Sequence, residues 1–323
     1  MALGEFELIE RFFKRAPRRA ALGVGDDCAL VPAPGPCMHW AITSDMLVEG
    51  RHFLSTVSPR RLGHKALAVN LSDLAACGAT PRAFTLALAL PRADADWLAA
   101  FAQGLFALAD EHDIELVGGD TTAGPLNICI TAFGEVPVGA ALQRDAARPG
   151  DDIWVSGNLG DARLALEVFR GHVALGAGDF EAVRRAMEMP QPRVALGLAL
   201  RGVAHAAIDI SDGLVGDLGH VLARSGVGAK LHTDALPRSA LLAQQPSTLQ
   251  RLCLLSGGDD YELLVTAPAA RRDAVLRTAA GAGVPVARVG CIEATPGLRL
   301  VDAQGQPVVP QEAGFDHFSG DGA

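Results

Sequence analysis

Residues 59–78, PRRLGHKALAVNLSDLAACG, constrain the fold more than any other stretch of this sequence. Ser58 followed by Pro59 is typical of a helix N-cap and a first helical residue, and glycine is typical of a helix end. The spacing therefore predicts one long helix that begins at Pro59 and ends at Gly78. Such a helix must bury an apolar face against another layer of structure.

One aspartate interrupts that apolar face. At 100° per residue, Leu62, Ala66 and Val69 share one side of the helix, and Asp73 falls in the middle of the same stripe. A carboxylate placed where a hydrophobic side chain belongs has two explanations. It forms an internal cap or a salt bridge to an arginine, or it is a ligand for a metal ion.

The rest of the chain alternates between apolar runs and helical patterns, which predicts an α/β or α+β fold. A polar, Pro- and Gly-containing stretch at 142–150 is the best boundary, so we predict domains at 1–145 and 146–323. The segments NLSDLAA and DISDGLV lie at similar points of the two halves and suggest an internal duplication or a coincidence. The predicted helices are 5–15, 59–78, 97–112, 161–169, 213–224 and 269–280, and the predicted strands are 40–47, 85–91, 114–117, 126–136, 152–157, 206–211, 229–233, 261–267 and 286–294.

Charge and cysteine usage exclude several classes of protein. The formal net charge is −9 over 323 residues, which disfavours a nucleic-acid or anionic-membrane partner. Six cysteines without a CxxC pair suit a reducing compartment better than a disulfide framework or a zinc site. No apolar run reaches the roughly 20 residues of a membrane span. We therefore expect a cytoplasmic protein.

Short, glycine-punctuated aspartate clusters recur along an otherwise apolar chain. Turn formation or helix capping explains any one of them. Their joint occurrence favours Mg²⁺, because it takes oxygen ligands and shares them with substrate phosphates. Thr43 and Ser44, next to Asp45, add hydroxyl oxygens. The clusters are GVGDD (Asp26, Asp27), TSD (Asp45), NLSD (Asp73), GGD (Asp120), IDISD (Asp209, Asp212) and GGDD (Asp259, Asp260).

Several common catalytic motifs are absent from the sequence. There is no G-x-x-x-x-G-K-[ST] loop, no kinase-type HRD loop and no G-x-S-x-G elbow. The glycines of VGGDTT follow the apolar run IELV, so they are predicted at a strand end where backbone approaches phosphate oxygens closely. The sequence thus favours a metal-dependent phosphate enzyme.

The ordered motifs GEFELI, GVGDDCAL, TSDMLVEGRHF, KALAVNLSDLAACGA, VGGDTT, IDISDGL, SGGDDYEL and GFDHF, with the Arg144 segment, resemble the thiamine-monophosphate kinase family over nearly the whole chain. The resemblance implies the two-domain fold of the superfamily shared with aminoimidazole ribonucleotide synthetase, with an N-terminal domain that dimerises through its sheet. It implies ATP as co-substrate, several Mg²⁺ ions, and direct in-line phosphorylation of thiamine monophosphate to thiamine diphosphate.

Site residues follow from the resemblance motif by motif. The implied ATP contacts are Gly119, Arg144 and Ser211, and the implied thiamine phosphate contacts are His52, Asp259 and Phe315. Arg144 would stabilise charge on the transferred group. Asp45, Asp73, Asp120, Arg144 and Asp209 would carry the catalysis. The implied Mg²⁺ ligands are Asp27, Thr43, Ser44, Asp45, Asp73, Asp120, Asp209 and Asp212.

Three positions differ from the residues that are common in the family's motifs. Asp259 stands where glutamate is frequent, TSD replaces STD, and Phe315 stands where Tyr or Trp is also used. Asp259 is one methylene shorter than glutamate, so its carboxylate reaches less far toward the substrate than the common residue does. Two alternatives stay open: another ATP-using enzyme of the same superfamily, and a non-catalytic sensor that binds nucleotide and Mg²⁺.

Overall fold

The computed structural model describes residues 5–24 and 28–309, and the chain divides into two compact units. The first comprises Met1–Leu74 and Ala79–Gly139, and the second comprises Ala75–Gly78 and Ala140–Ala323. No helix in the described ranges is long and apolar enough to cross a membrane. The assignment of 1–145 and 146–323 as functional domains stays a prediction.

The first unit holds a four-stranded sheet in the order β1-β4-β2-β3, with β2 and β3 parallel and the other pairs antiparallel. Residues of β4 alternate between buried and half-buried, as expected for a sheet with one covered face. The elements are α1 (Glu5–Leu8, continued by a π-helical turn Ile9–Phe13), β1 (Met38–Val48), α2 (Pro59–Ala76), β2 (Thr80–Leu90), α3 (Ala95–Glu111), β3 (Glu115–Ala123) and β4 (Asn127–Pro137).

The helix predicted from Pro59 is present as α2, and the Ser58 hydroxyl accepts a hydrogen bond from the Arg61 N–H at 3.4 Å, as the N-cap prediction required. Its core residues Leu67, Leu71 and Leu74 are at most 1% exposed. One prediction in this unit is wrong: VGGDTT does not follow a strand but lies inside β3. Pairing with β2 continues through these residues, after an irregularity at Phe84 and Thr85.

The second unit holds a six-stranded sheet in the order β10-β7-β9-β5-β8-β6. Every residue of β5 is buried, in keeping with its position inside the sheet. The strands are β5 (Asp151–Ser156), β6 (Ala206–Asp209), β7 (Gly228–His232), β8 (Leu263–Pro268), β9 (Val286–Glu293) and β10 (Gly297–Val301).

Helices of the second unit supply most of the remaining core. Leu164, Leu218 and Leu254 come from three different helices and are buried in one cluster with side chains of the sheet. The helices are α4 (Asp161–Phe169), α5 (Ala177–Glu188), α6 (Val194–Leu200), α7 (Leu214–Ser225), α8 (Ala240–Ala243), α9 (Ser247–Ser256) and α10 (Arg272–Gly281), with 3₁₀ turns at Thr233–Ala235 and Ala269–Arg271.

Candidate active site

Strand β1 and helix α2 bring hydroxyl and carboxylate oxygens together in the first unit. Alternate residues of a strand share a face, so Thr43 and Asp45 point the same way. The Thr43 hydroxyl donates a hydrogen bond to Oδ2 of Asp73, which lies in the last turn of α2. Asp45 and Asp73 are both half-buried. The polar residue that interrupts the apolar stripe of α2 therefore faces a second polar residue on the sheet.

Ser44 lies on the opposite face of β1 from Thr43 and Asp45. Its hydroxyl is 2.9 Å from Oγ1 of Thr131 and 3.7 Å from Sγ of Cys129, both on the neighbouring strand β4. The structure therefore does not bring the Ser44 side chain together with those of Thr43 and Asp45, although the three residues are consecutive in sequence. Its role as a metal ligand stays a prediction.

The GGD segment of β3 is shaped by a glycine. Gly119 has a φ of +147°, and a Cβ added there would lie 1.8 Å from the carbonyl oxygen of Leu86 on β2. No residue with a side chain fits this approach without moving the backbone. The following residue, Asp120, pairs with Ala87 and is exposed. Its carboxylate is therefore accessible to solvent and to a ligand.

His52 is held by the backbone that surrounds it. Its Nδ1 accepts a hydrogen bond from the Val48 N–H at 3.0 Å, which leaves Nε2 to carry the ring proton in the neutral form. The His52 carbonyl accepts a hydrogen bond at 3.1 Å from Nζ of Lys65, a lysine that is only 1% exposed. The sequence alone does not single out Lys65, because a lysine within a helix is usually solvated.

In the second unit, Asp209 ends β6 and is 3% exposed, while Ser211 and Asp212 follow it in a short loop before α7. Helix α7 has Gly213 at its N-cap position, so Asp212 is not the capping residue that a structural reading of this motif suggests. Asp217, in the first turn of α7, instead holds the loop that precedes the helix. Its Oδ2 accepts hydrogen bonds from the N–H groups of Ser211, Asp212 and Gly213 at 3.1, 3.1 and 3.2 Å.

The environment of Asp217 changes its acidity. Burial raises the pKa of Asp217 to about 7, with a further upward contribution from the charge of Asp212, while the three backbone hydrogen bonds act in the opposite direction. The sequence alone does not single out Asp217. The one available signal was an acidic residue in the first turn of a predicted helix, which is too common to single it out.

The SGGDDYEL segment runs alongside the IDISDG loop. The Asp259 N–H donates to the Ser211 carbonyl and the Tyr261 N–H donates to the Ile210 carbonyl, both at 2.8 Å. A Cβ on Gly258 would lie 2.4 Å from the Ser211 carbonyl oxygen, so this close approach requires glycine. The Tyr261 hydroxyl donates to Oδ1 of Asp259 at 3.1 Å. The Asp259 side chain is therefore oriented by Tyr261.

Asp259 and Tyr261 also have unusual backbone conformations. Their φ angles are +68° and +50°, in the left-handed region that residues with a Cβ seldom adopt. Such conformations cost of order 1–3 kcal/mol each and concentrate at functional sites. The strain agrees with a functional role for this segment.

Asp260 is the second aspartate of the segment and differs from Asp259. Its Oδ1 accepts a hydrogen bond from the Gly160 N–H at 2.9 Å, and its buried Oδ2 has no hydrogen-bond partner in the described part of the chain. Burial, together with the nearby charges of Glu262, Asp161 and Asp259, raises the pKa of Asp260 well above its usual range.

Glu262 anchors the end of the same segment. It is 5% exposed and accepts hydrogen bonds from both the Ser156 hydroxyl and the Arg193 guanidinium, with the Arg193 Nε at 2.7 Å. Arg193 is held charged by this carboxylate, which keeps its pKa raised in spite of burial. Sequence reasoning did not identify this ion pair, because its members lie 69 residues apart.

Three predicted residues remain to be placed. Arg144 is exposed, and its carbonyl accepts a hydrogen bond from the Ser225 hydroxyl at 3.0 Å. Asp27 and Phe315 lie outside the described residues. Within 5–24 and 28–309, no three His, Cys, Asp or Glu side chains gather closely enough to hold a metal ion by themselves.

Comparison with known proteins identifies the family. Residues 25–136 match the model for the AIR synthase related protein N-terminal domain, and residues 148–303 match the corresponding C-terminal domain. The chain is 45% identical over 326 residues to thiamine-monophosphate kinase from Salmonella typhimurium and 43% identical over 325 residues to that from Escherichia coli K12. Each alignment covers 99% of both chains. The chain belongs to the thiamine-monophosphate kinase family.

Solved structures agree with this membership. The crystal structure of thiamine-monophosphate kinase from Stenotrophomonas maltophilia K279a superposes with a TM-score of 0.85 at 47% identity, covering 95% of this chain and 99% of that one. AaThiL complexed with AMPPCP and TMP superposes with a TM-score of 0.77 at 30% identity, covering 89% and 90%. The family resemblance and the mixed α/β fold inferred from the sequence are confirmed.

Proposed function

We propose that this chain catalyses ATP-dependent phosphorylation of thiamine monophosphate, yielding thiamine diphosphate and ADP. The observation that carries the proposal is membership of the thiamine-monophosphate kinase family over the full length of the chain. The known complex of AaThiL with AMPPCP and TMP supports the same pair of substrates.

The chemistry requires positioning and charge neutralisation more than base catalysis. The acceptor is a phosphate oxygen that is already ionised at neutral pH, so no strong general base has to create the nucleophile. The barrier comes from repulsion between two polyanions and from the need for in-line geometry. Residues that hold cations between the two phosphates, and that fix the two substrates, therefore carry the catalysis.

The oxygen-rich residues of the first unit fit Mg²⁺ by their chemistry. The Thr43 hydroxyl meets the Asp73 carboxylate, and Asp45 lies on the same face of β1, so the donor set consists of hard oxygen atoms. Mg²⁺ uses one or two carboxylates and completes its shell with water and substrate phosphates, so a preformed cage of three carboxylates is not required. When bound, Mg²⁺ neutralises phosphate charge and orients the transferred group.

We assign the remaining magnesium contacts to a larger set of residues. Asp120 is exposed in the C-terminal half of β3. Asp209 ends β6, and Asp212 lies in the loop that precedes α7. Ser44 enters the set by sequence resemblance alone, because its side chain points to the other face of β1, and the geometry predicts little loss when its hydroxyl is removed. The full set is Asp27, Thr43, Ser44, Asp45, Asp73, Asp120, Asp209 and Asp212.

We assign the nucleotide and acceptor contacts in the same way. Gly119, Arg144 and Ser211 contact ATP, and the exposed Arg144 guanidinium stabilises charge on the transferred phosphoryl group. His52 and Asp259, together with Phe315, contact thiamine monophosphate. The backbone hydrogen bond to His52 and the Tyr261 hydrogen bond to Asp259 support these assignments, because each holds its side chain in one orientation.

A coupled assay of ADP formation tests the proposed activity. With Mg²⁺ and ATP, we expect ADP release and thiamine diphosphate formation with thiamine monophosphate, and background rates with unphosphorylated thiamine or with other phosphorylated acceptors. Direct transfer needs both substrates bound together, so initial-rate lines should intersect. Faster ADP release with a different acceptor would indicate another ATP-using activity of the superfamily. Binding of nucleotide without any turnover would indicate a sensor.

We further propose that the chain forms a homodimer through the open face of the first sheet. Trp40, Ile42 and Met46 lie on this face of β1, and the side chains of Ile42 and Met46 are 61% and 53% exposed. Phe133 on β4 extends the same apolar surface and contacts Trp40 edge to face. An apolar surface of this kind suits a second copy of the same face. Sedimentation should give twice the 33.5 kDa chain mass, and Ile42→Glu should give the monomer.

A further inference from the structure

A single carboxylate oxygen controls the direction of the loop between β6 and α7. Asp217 lies in the first turn of α7 and is 3% exposed. Its Oδ2 accepts from three consecutive N–H groups, those of Ser211, Asp212 and Gly213. Three hydrogen bonds that converge on one buried oxygen fix the conformation of the loop, because losing that oxygen would leave three backbone donors without their acceptor.

The opposite edge of the loop is fixed as well. The Ile210 and Ser211 carbonyls accept hydrogen bonds from the N–H groups of Tyr261 and Asp259. Asp217 therefore holds the N–H groups of residues 211–213, and the SGGDDYEL segment holds the carbonyls of Ile210 and Ser211. This determines the directions in which the Ser211 and Asp212 side chains leave the backbone.

The arrangement also decides which kind of ligand the loop can meet. Successive N–H groups at the start of a helix form a concavity that binds phosphate in many proteins. Here Asp217 already occupies that concavity from within the protein. The backbone N–H groups are consequently directed inward, and the loop offers hydroxyl and carboxylate oxygens to a ligand. Such oxygens bind a cation.

We propose that Asp217 is a positioning residue for the binding of Mg²⁺-nucleotide, acting through the Ser211–Gly213 loop without touching the ligand. The inference rests on the proposed function, in which Ser211 contacts ATP and Asp212 contacts Mg²⁺. Removing the carboxylate releases three N–H groups, so the loop loses the conformation that directs these two side chains. Groups that orient metal ligands typically contribute 10–100-fold to metal affinity.

The experiment compares Asp217→Ala and Asp217→Asn with Asp234→Ala. Asn keeps one acceptor oxygen in nearly the same place. Asp234 is a matched control, because its carboxylate accepts a hydrogen bond from the Ala303 N–H in the same unit. For each variant we would measure calorimetric binding of AMPPCP with Mg²⁺, the Mg²⁺ dependence of activity, the KM for each substrate, and hydrogen exchange at the loop amides.

For Asp217→Ala we expect about tenfold weaker binding of Mg²⁺-AMPPCP, a matching rise in the Mg²⁺ concentration for half-maximal activity, and a KM for thiamine monophosphate within about twofold of the original. Exchange should accelerate at residues 211–213. Asp217→Asn should recover most of the affinity, and Asp234→Ala should match the unmodified protein. If Asp217→Ala does not fold, the same measurements on Asp217→Asn decide, with a smaller but measurable rise in the Mg²⁺ requirement expected.

Unchanged Mg²⁺-AMPPCP affinity in a folded variant whose loop amides exchange faster would overturn the positioning role. That result would leave the kinase activity of the unmodified protein standing. Conversely, an unmodified protein that binds Mg²⁺-AMPPCP but transfers no phosphate to thiamine monophosphate would refute the proposed function. In that case the binding and exchange measurements would still decide the role of Asp217.

Discussion

The segments NLSDLAA and DISDGLV share a Ser-Asp pair but fold differently. Asp73, in the first, lies within the long helix α2, whereas Asp212, in the second, lies in a loop that precedes α7. The flanking residues explain the difference. Leucine and alanine surround Asp73 and continue the helix, while Gly213 follows Asp212 with a φ of +113°. The shared letters do not place the two aspartates in equivalent structures.

The two aspartates are also supported in different ways. Asp73 is oriented by a side chain, the Thr43 hydroxyl on a neighbouring strand. Asp212 is oriented through its own backbone, which Asp217 holds. The sheets differ too, with four strands in the first unit and six in the second. A carboxylate can therefore be directed toward a ligand either from a rigid helix or from a loop that a buried carboxylate stabilises.

The largest expected effect concerns Asp73, the aspartate that the helix α2 carries. Asp73→Asn should reduce kcat/KM by on the order of 100-fold or more, because it removes the negative charge of a proposed metal ligand. The fold should survive, since the Thr43 hydroxyl can donate to the amide oxygen in place of the carboxylate. Steady-state kinetics and thermal unfolding of the same preparation measure both quantities.

Asp96→Asn, which changes an exposed aspartate on α3, is the matched control and should leave both quantities unchanged within error. An Asp73→Asn protein that unfolds readily, yet shows full specific activity in its folded fraction, would show that Asp73 is a structural residue.

A smaller effect separates two adjacent hydroxyl residues on β1. Thr43→Val removes the hydroxyl that donates to Asp73, so we expect about a tenfold rise in the Mg²⁺ concentration for half-maximal activity. Ser44→Ala removes a hydroxyl that faces Thr131 on the other side of the strand, and we expect less than a twofold change. Titration of activity with Mg²⁺ at saturating ATP measures both. If both changes raised the Mg²⁺ requirement equally, the face of β1 on which a hydroxyl lies would not determine whether it contributes to Mg²⁺ binding.

Local signals made part of the fold predictable. Helix α2 could be inferred because its cap, its first proline and its apolar period all lie within one short stretch. Strand β3 was predicted too short, because its second half contains glycines and exposed residues and is defined by pairing with β2. Helix α5 was missed, since it is rich in charged residues and lacks an extended apolar run. Partners distant in sequence supply the information in these cases.

In the candidate site, too, local sequence signals identify some residues, while others depend on partners that are distant in sequence. The residues proposed to carry the chemistry follow from their types and motifs, whereas the residues that support them do not. Lys65 and Asp217 act through backbone atoms, and a backbone contact leaves no signature in the residue it supports. The opposite faces of Thr43 and Ser44 follow from the strand period, yet which face meets α2 depends on tertiary packing.

The smallest expected effect concerns a third kind of aspartate. Asp73 and Asp217 are each oriented or engaged by donors, whereas Asp260 accepts one hydrogen bond from the Gly160 N–H and buries its Oδ2 without a partner in the described part of the chain. Burial raises the pKa of Asp260, so the native state keeps it protonated while the unfolded chain, with a pKa of about 3.9, ionises it. Between about pH 4 and the raised native pKa, the native state therefore binds more protons than the unfolded state.

The sign of the resulting pH dependence follows from linkage. When the native state binds the extra proton, the free energy of unfolding falls as pH rises, by at most about 1.4 kcal/mol per unit, from about pH 4 up to the raised native pKa of Asp260. Asp260→Asn has no proton to lose, so it should lack this component. Its stability relative to the original protein should increase as pH rises from about 4 toward the raised native pKa of Asp260, while kcat changes little because Asp260 is not assigned a substrate contact. Urea unfolding at several pH values measures the difference. A stability difference that stays constant with pH would show that Asp260 ionises alike in both states, and that its buried oxygen has a donor in the native protein.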